Sequence, residues 1–267
     1  MATAKGPLLF TGSLDFLSYY TRRGSDKVYI RTKGGASKDK IKNSPKFEGL
    51  RMQQKEWKGC TAFASVLRYA FGGLHRLADY NITPVLNGLA KELQKTDTTH
   101  TVGQRGIYLS NFKHSIENFQ LNRQYPFNTV LRVLPVASIY RESGKASVTF
   151  PRICPGTDIH NLQKLPFFRL IVSLGIISDL AIYHTEFLPL VPELHGTCEI
   201  HTGAWYNTSG VVEEQTVELV FDAQKLAKLN DSCTLILSIG IEFGKLNMLN
   251  QTEAVKYAGC ARVLKVG

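Results

Sequence analysis

The spacing of apolar residues along the chain changes character twice. Leu14 to Thr21 (LDFLSYYT) and Lys27 to Thr32 (KVYIRT) are rich in aromatic and β-branched residues, and Arg22-Arg23-Gly24-Ser25-Asp26 between them has turn chemistry. This predicts a β-hairpin. A polar, basic stretch, Lys33 to Asn43, follows. Ser44-Pro45 then reads as a helix start, with Ser as N-cap and Pro at the first helical position. From there Phe47, Leu50, Trp57, Cys60, Ala64, Leu67 and Phe71 recur at helical spacing, so they are expected to form the buried face of one long helix ended by Gly72-Gly73. Thr83-Pro84 opens a second helix running to about Gln94, and Ile107 to Phe119 is expected to form a third.

Beyond about Phe119 the period shortens. Thr129 to Tyr140, Ala146 to Phe150, Phe168 to Tyr183, Gly196 to Tyr206, Val211 to Phe221, Cys233 to Phe243 and Ala254 to Val266 read as strands separated by Gly, Pro, Asn and Asp. Thr234 to Phe243 is mostly apolar, which suits a strand buried on both faces. The expected fold class is therefore α+β: an N-terminal β-hairpin, a short helical segment and a C-terminal antiparallel β-sandwich. The expected division is residues 1–118 for hairpin, basic linker and helices, and 119–267 for the sandwich.

Composition narrows the class. Hydrophobic residues are 43% of the 267 and charged residues 20%, too apolar for a disordered chain. Leu165 to Tyr183, the longest apolar candidate, is interrupted by Arg169, Ser173, Ser178 and Asp179, so no membrane span is expected. Met1 to Gly12 lacks the apolar core of a secretory signal, which leads us to expect a protein that is cytoplasmic or released by a signal-independent route. Five cysteines at wide spacings do not make a disulfide framework; Cys60, Cys233 and Cys260 read as small buried hydrophobes.

The net charge of +10 is unevenly placed. Residues 1–150 carry 23 Lys or Arg against 10 Asp or Glu, whereas residues 151–267 carry 9 against 12. Between Arg22 and Lys58 there are 12 basic and 4 acidic residues. Such a segment can neutralise nucleic-acid phosphates, with Lys33, Lys38, Lys40, Lys42 and Lys46 as the candidate contacts. It can equally meet the acidic half of another copy, or simply keep the chain soluble.

Catalytic and cofactor motifs fail on inspection. Gly144-Lys145 and Gly244-Lys245 lack the glycine five residues earlier and the Ser or Thr that a phosphate-binding loop requires. His195, Cys198 and His201 are metal-capable, but in a strand residues three apart point to opposite faces, and a fourth ligand is missing. Neither Gly-x-Ser-x-Gly nor His-Glu-x-x-His occurs, and Glu213-Glu214 reads as a solvated strand face. Asn81, Asn207, Asn230 and Asn250 head Asn-x-Ser/Thr triplets that, without a secretory signal, read as chance matches. Phe16, Tyr19, Tyr20 and Tyr29 lie near Arg22, Arg23, Lys27 and Arg31, a combination able to stack on bases or to pack a hairpin that has to dock.

The stretch Tyr29-Ile30-Arg31-Thr32-Lys33-Gly34-Gly35, then Lys42-Asn43-Ser44-Pro45-Lys46-Phe47, then Arg51 and the apolar run Ala62 to Phe71, resembles a family of uncharacterised Bacteroidota proteins. Pro166 to Leu170 is similar to that family's strand entry. Trp57 and Cys60 stand where the family has smaller residues. The resemblance covers about half of the chain and implies the same layout; it implies no activity and no site residues.

Together these readings lead us to expect a structural, self-associating protein, forming a filament or ring, and not an enzyme. No cofactor and no metal is expected. The expected partner is a second copy meeting the hairpin through Phe16, Tyr19, Tyr20, Tyr29 and Ile30. The alternative is a nucleic-acid-binding protein using residues 22–58.

Overall fold

The computed structural model describes residues 2–3, 10–22, 25–161, 163–184 and 186–267. The expected hairpin turn at 22–26 therefore lies partly outside the described residues. The chain divides between Arg51 and Met52 into two compact units.

The N-terminal unit is a small antiparallel sheet followed by one turn of helix. Its strands are β1 (Ala2–Thr3), β2 (Gly12–Leu14), β3 (Leu17–Thr21) and β4 (Val28–Thr32), ordered β1-β4-β3-β2. The expected single strand Leu14 to Thr21 is broken at Asp15-Phe16. Asp15 has φ 46°, a left-handed conformation that a short polar side chain tolerates, and the chain reverses there. Helix α1 (Lys38–Asn43) is capped by Ser37, whose hydroxyl accepts from Lys40 N. The Arg51 guanidinium donates to Ile41 O and Ser44 O at 2.8 and 2.9 Å, closing the turn after α1.

The second unit has three layers. Helix α2 (Glu48–Ala70), most of which lies here, and α3 (Thr83–Lys95) form the first. Along the chain follow α4 (Phe127–Val130), β5 (Val136–Tyr140), β6 (Lys145–Phe150) and α5 (Pro155–Asp158). Then come β7 (Phe167–Ser178), β8 (Leu180–Tyr183), β9 (Glu186–Pro189), β10 (Cys198–Thr202) and β11 (Tyr206–Asn207). The last elements are β12 (Gln215–Val220), α6 (Ala223–Lys228), β13 (Cys233–Leu246) and β14 (Thr252–Val266). The central sheet runs β10-β7-β13-β14, with β11 also paired to β7; the outer sheet runs β12-β6-β5, and β8 pairs with β9. Every strand pair is antiparallel. The fold class is α+β, with antiparallel sheets following the helices.

The central sheet is buried on both sides, which is why β13 reads as a nearly continuous apolar run. Leu170, Val172, Leu174 and Ile176 of β7, with Leu235, Leu237, Ile239 and Ile241 of β13, face Ala146, Val148 and Phe150 of the outer sheet in one core. Ile171, Ile177, Ile236 and Val263 point the other way, into a second core with Phe63, Leu67, Phe71 and Leu86. Because helices of residues 52–118 cover that second face, the chain divides at 51/52 and not at the 118/119 boundary that the change of period suggests.

The structure corrects three further sequence expectations. Trp57 is 46% exposed and Leu50 is also exposed. The buried residues of α2 are Glu56, Gly59, Cys60, Phe63, Ala64, Leu67 and Ala70, so Cys60, Ala64 and Leu67 of the expected face are buried, as is Phe71 just beyond, and the stripe runs one residue round the helix from Trp57; Phe47 belongs to a separate tight turn, Pro45–Phe47. Residues 107–119 do not form a regular helix: tight turns over Ser110–Ile116 are interrupted at Phe112, whose backbone is non-helical. The segment from Thr129 is not strand until Val136, because Pro126 starts the short helix α4 instead.

Small residues bring α2 against strand backbone. A Cβ built on Gly175 of β7 would lie 2.1 Å from Ala70 O, and Ser173 Oγ donates to Phe71 O at 3.0 Å. The obstacle at Gly175 is backbone, which cannot swing aside. Gly175→Ala is therefore expected to lower stability by about 1–3 kcal/mol or more, read as a fall in the urea midpoint; an unchanged midpoint would show that the helix end is not seated on β7.

Candidate functional site

Two places concentrate chemistry: the surface of the N-terminal sheet and a set of buried ion pairs in the second unit.

The register of the N-terminal sheet sorts its side chains. Tyr19 pairs with Ile30, Leu17 with Thr32 and with Leu14, and Thr21 with Val28, so these share one face. Phe10 lies against Tyr19 with ring centroids 4.5 Å apart on that apolar face. Tyr20 pairs with Tyr29 and Ser18 with Arg31 on the opposite face. There the two tyrosine rings are 5.9 Å apart, Arg22 sits 4.5 Å over Tyr29, and Arg31 sits 5.4 Å over Tyr20. The result is a row Arg22–Tyr29–Tyr20–Arg31 of planar groups. The five residues expected to form one interface are thus divided: Tyr19 and Ile30 on one face, Tyr20 and Tyr29 on the other, and Phe16, 61% exposed, in the turn between β2 and β3.

The basic candidates are all exposed. Lys33 follows β4 directly, its N–H donating to Phe16 O. Lys38, Lys40 and Lys42 are on α1, and Lys46 is in the turn after it. Gly35, Ser37, Asp39, Lys40 and Asn43 line a shallow, open concavity of about 550 Å³.

The sequence pattern does not reveal the buried ion pairs. Glu56 is fully buried on α2. Its Oε1 accepts from Gly103 N and Arg105 Nε, both at 2.8 Å; its Oε2 accepts from Lys91 Nζ at 2.8 Å and Arg105 Nη2 at 2.7 Å. Burial by itself would push the Glu56 pKa up, but the hydrogen bonds from Arg105, Lys91 and Gly103 outweigh it and bring it to about 2. Gln94, also buried, joins the group by donating to Glu56 O and Arg105 O and accepting from Lys91 Nζ. Next to it, Asp97 accepts from Thr99 N, His100 N and Gly106 N. Burial opposes ionisation there too, and hydrogen bonds led by that of Thr99 hold the carboxyl well below its ordinary range.

Glu242, in mid-β13 on the helix-facing side, is held by two arginines. Arg76 donates Nη2 to both oxygens at 3.0 Å and Nε to Oε1 at 3.2 Å, and Arg169 donates Nε to Oε2 at 2.8 Å while stacking 4.4 Å over Trp205. Asp179, between β7 and β8, accepts from Ser110 N and Oγ, and burial pushes its pKa up. In each cluster the carboxylate oxygens already face protein donors, so the groups tie distant segments together.

Burial pushes the Cys60 thiol pKa up to about 11, and raises those of Cys198, Cys233 and Cys260 as well. His195 Nδ1 accepts from Ser178 N, and burial lowers its pKa. Cys198 and His201 are three residues apart on β10. Among the described residues no group of three or more His, Cys, Asp or Glu is placed to hold a metal ion, and no helix is long and apolar enough to cross a membrane.

Compared with known proteins, the chain matches no family model, no curated protein and no solved structure.

Proposed function

We propose that this is a structural, self-associating protein that works without catalysis, its N-terminal sheet docking on a second copy of the same chain. One observation carries the reading. The apolar face of the sheet (Leu14, Leu17, Tyr19 and Ile30, with Phe10 on Tyr19) belongs to a unit in which Val28 is the one buried residue among those described. On that face Leu14 and Phe10 are exposed and Leu17, Tyr19 and Ile30 are half-buried, and a small sheet gains stability by burying such side chains further. Charge favours a second copy as the cover. Residues 1–51 carry 11 Lys or Arg against 4 Asp or Glu, whereas residues 151–267 carry 9 against 12; at the β12 edge of the outer sheet Glu214 is exposed, while Glu218 pairs with Lys145 and Glu213 with Arg152. A basic N-terminal unit meeting the acidic C-terminal part of another copy is a head-to-tail contact, which propagates into a ring or an open filament.

The test is mass against concentration by light scattering. The full chain is expected to assemble by ~100 μM, as a contact with Kd of about 10 μM requires, and to come apart as salt rises. The double variant Tyr19→Asp, Ile30→Asp is expected to stay monomeric. So is a chain lacking residues 1–32, which keeps both cores of the second unit because they draw only on residues 60 to 266. A full-length protein that remains monomeric at that concentration, or a deletion that unfolds, overturns the proposal.

A further inference from the structure

We infer that the opposite face of the N-terminal sheet binds single-stranded nucleic acid, through the row Arg22–Tyr29–Tyr20–Arg31. This does not rest on the assembly reading, since the two faces point in opposite directions.

Single strands are held by planar side chains on which bases stack and by cations that follow the phosphates. The row supplies both on one surface. Tyr20 and Tyr29 are cross-strand neighbours with centroids 5.9 Å apart, and a guanidinium lies over each ring. Both arginines are exposed, whereas both tyrosines are half-buried and so held in place by the sheet. The outward plane of an arginine stacked on tyrosine is itself a cationic platform for a base. The unit around it is strongly basic, with Lys27 and Lys33 flanking β4 and Lys38, Lys40 and Lys42 on α1, all exposed. This surplus of positive charge is complementary to a polyanion. A two-strand row of this kind suits splayed bases better than a duplex, whose bases are already stacked and shielded.

The experiment measures fluorescence anisotropy of a labelled oligo(dT) of ~12 nucleotides, and of a duplex of the same length, with the full chain at ~50 mM salt. The single strand is expected to bind more tightly than the duplex. Tyr20→Ala and Tyr29→Ala, which remove the ring that supports each arginine platform, should each weaken single-strand binding by roughly fivefold or more, the worth of one stacked base. Tyr20→Phe and Tyr29→Phe should retain it, because the stacking plane survives and the fold is preserved. Replacing Arg22 and Arg31 by Gln should reduce the slope of log affinity against log salt by about 0.7 for each phosphate that is no longer neutralised.

Absence of single-strand binding at that salt overturns the inference. So does equal binding of duplex and strand, or alanine variants that bind as the parent does. If Lys38→Gln with Lys40→Gln and Lys42→Gln abolishes binding while both tyrosine variants leave it intact, the nucleic acid sits on α1 and the sheet face is excluded.

Discussion

Glu56→Ala is expected to lower the stability of the protein by about 3–5 kcal/mol, the cost of removing one partner from a buried ion pair. The size follows from what is left behind. Arg105 and Lys91 would keep their charges with little water, and Gly103 N would lose its acceptor. The same residue makes a pH prediction whose sign can be worked out. The folded pKa of about 2 is below the ordinary 4.5, so the folded state binds this proton less readily than the unfolded chain does. Its contribution is fully present above the ordinary value and is lost as pH falls towards about 2. Urea unfolding at a series of pH values should show stability falling through that window in the parent. In Glu56→Gln, which cannot take up that proton, the fall should be shallower by one group's worth. Equal slopes would mean that the folded state does not lower the pKa of Glu56.

Leu67→Ala is expected to cost about 2–5 kcal/mol, through reduced burial and the cavity left behind. Leu67 is fully buried in the core between α2 and the central sheet, together with Phe63, Phe71 and Leu86. The neighbours have little freedom to close a gap, because Gly175 and Ser173 already seat the end of the helix on the backbone of β7. Trp57→Ala provides the contrast. That ring is nearly half exposed, so its removal should cost much less than that of Leu67. If the two variants unfold at the same urea concentration, the orientation of α2 is different from that described.

The two outcomes trace back to what local pattern can carry. Two-sided burial of β13 is legible because Leu235, Leu237, Ile239, Ile241 and Phe243 fill one core and Ile236 the other, with no exposed position from Thr234 to Phe243. The face of α2 is not. Trp57 is the largest apolar residue in its turn and draws the apparent stripe towards itself, while Glu56, four residues before Cys60 and in line with it, has the look of a surface charge. A lone carboxylate on an apolar stripe is the one local signal. Nothing nearby in the chain points to its partners, since Lys91 and Arg105 stand 35 and 49 residues further on and only the packing of α3 and the following loop brings them in. The row of tyrosines and arginines is an intermediate case. Strand alternation separates Tyr19 from Tyr20, but which residues face each other depends on the register, and so on a reversal at Asp15-Phe16 that has no Gly or Pro to announce it.

The pairing of the central sheet has a consequence for how the chain is made. Ser178 at the end of β7 pairs with Cys233, and Phe167 at its start with Gly244, so the two middle strands are far apart in sequence. Once β7 has left the ribosome, roughly 55 residues must follow before the first of its partner appears, about 3–11 s at ordinary rates of synthesis. Throughout that interval twelve residues, FFRLIVSLGIIS, have no strand of β13 beside them. A nascent chain in this state is open to capture by chaperones and to pairing with the same strand of a neighbouring ribosome's product, so the yield of folded protein should respond more to translation speed and temperature than its final stability would suggest.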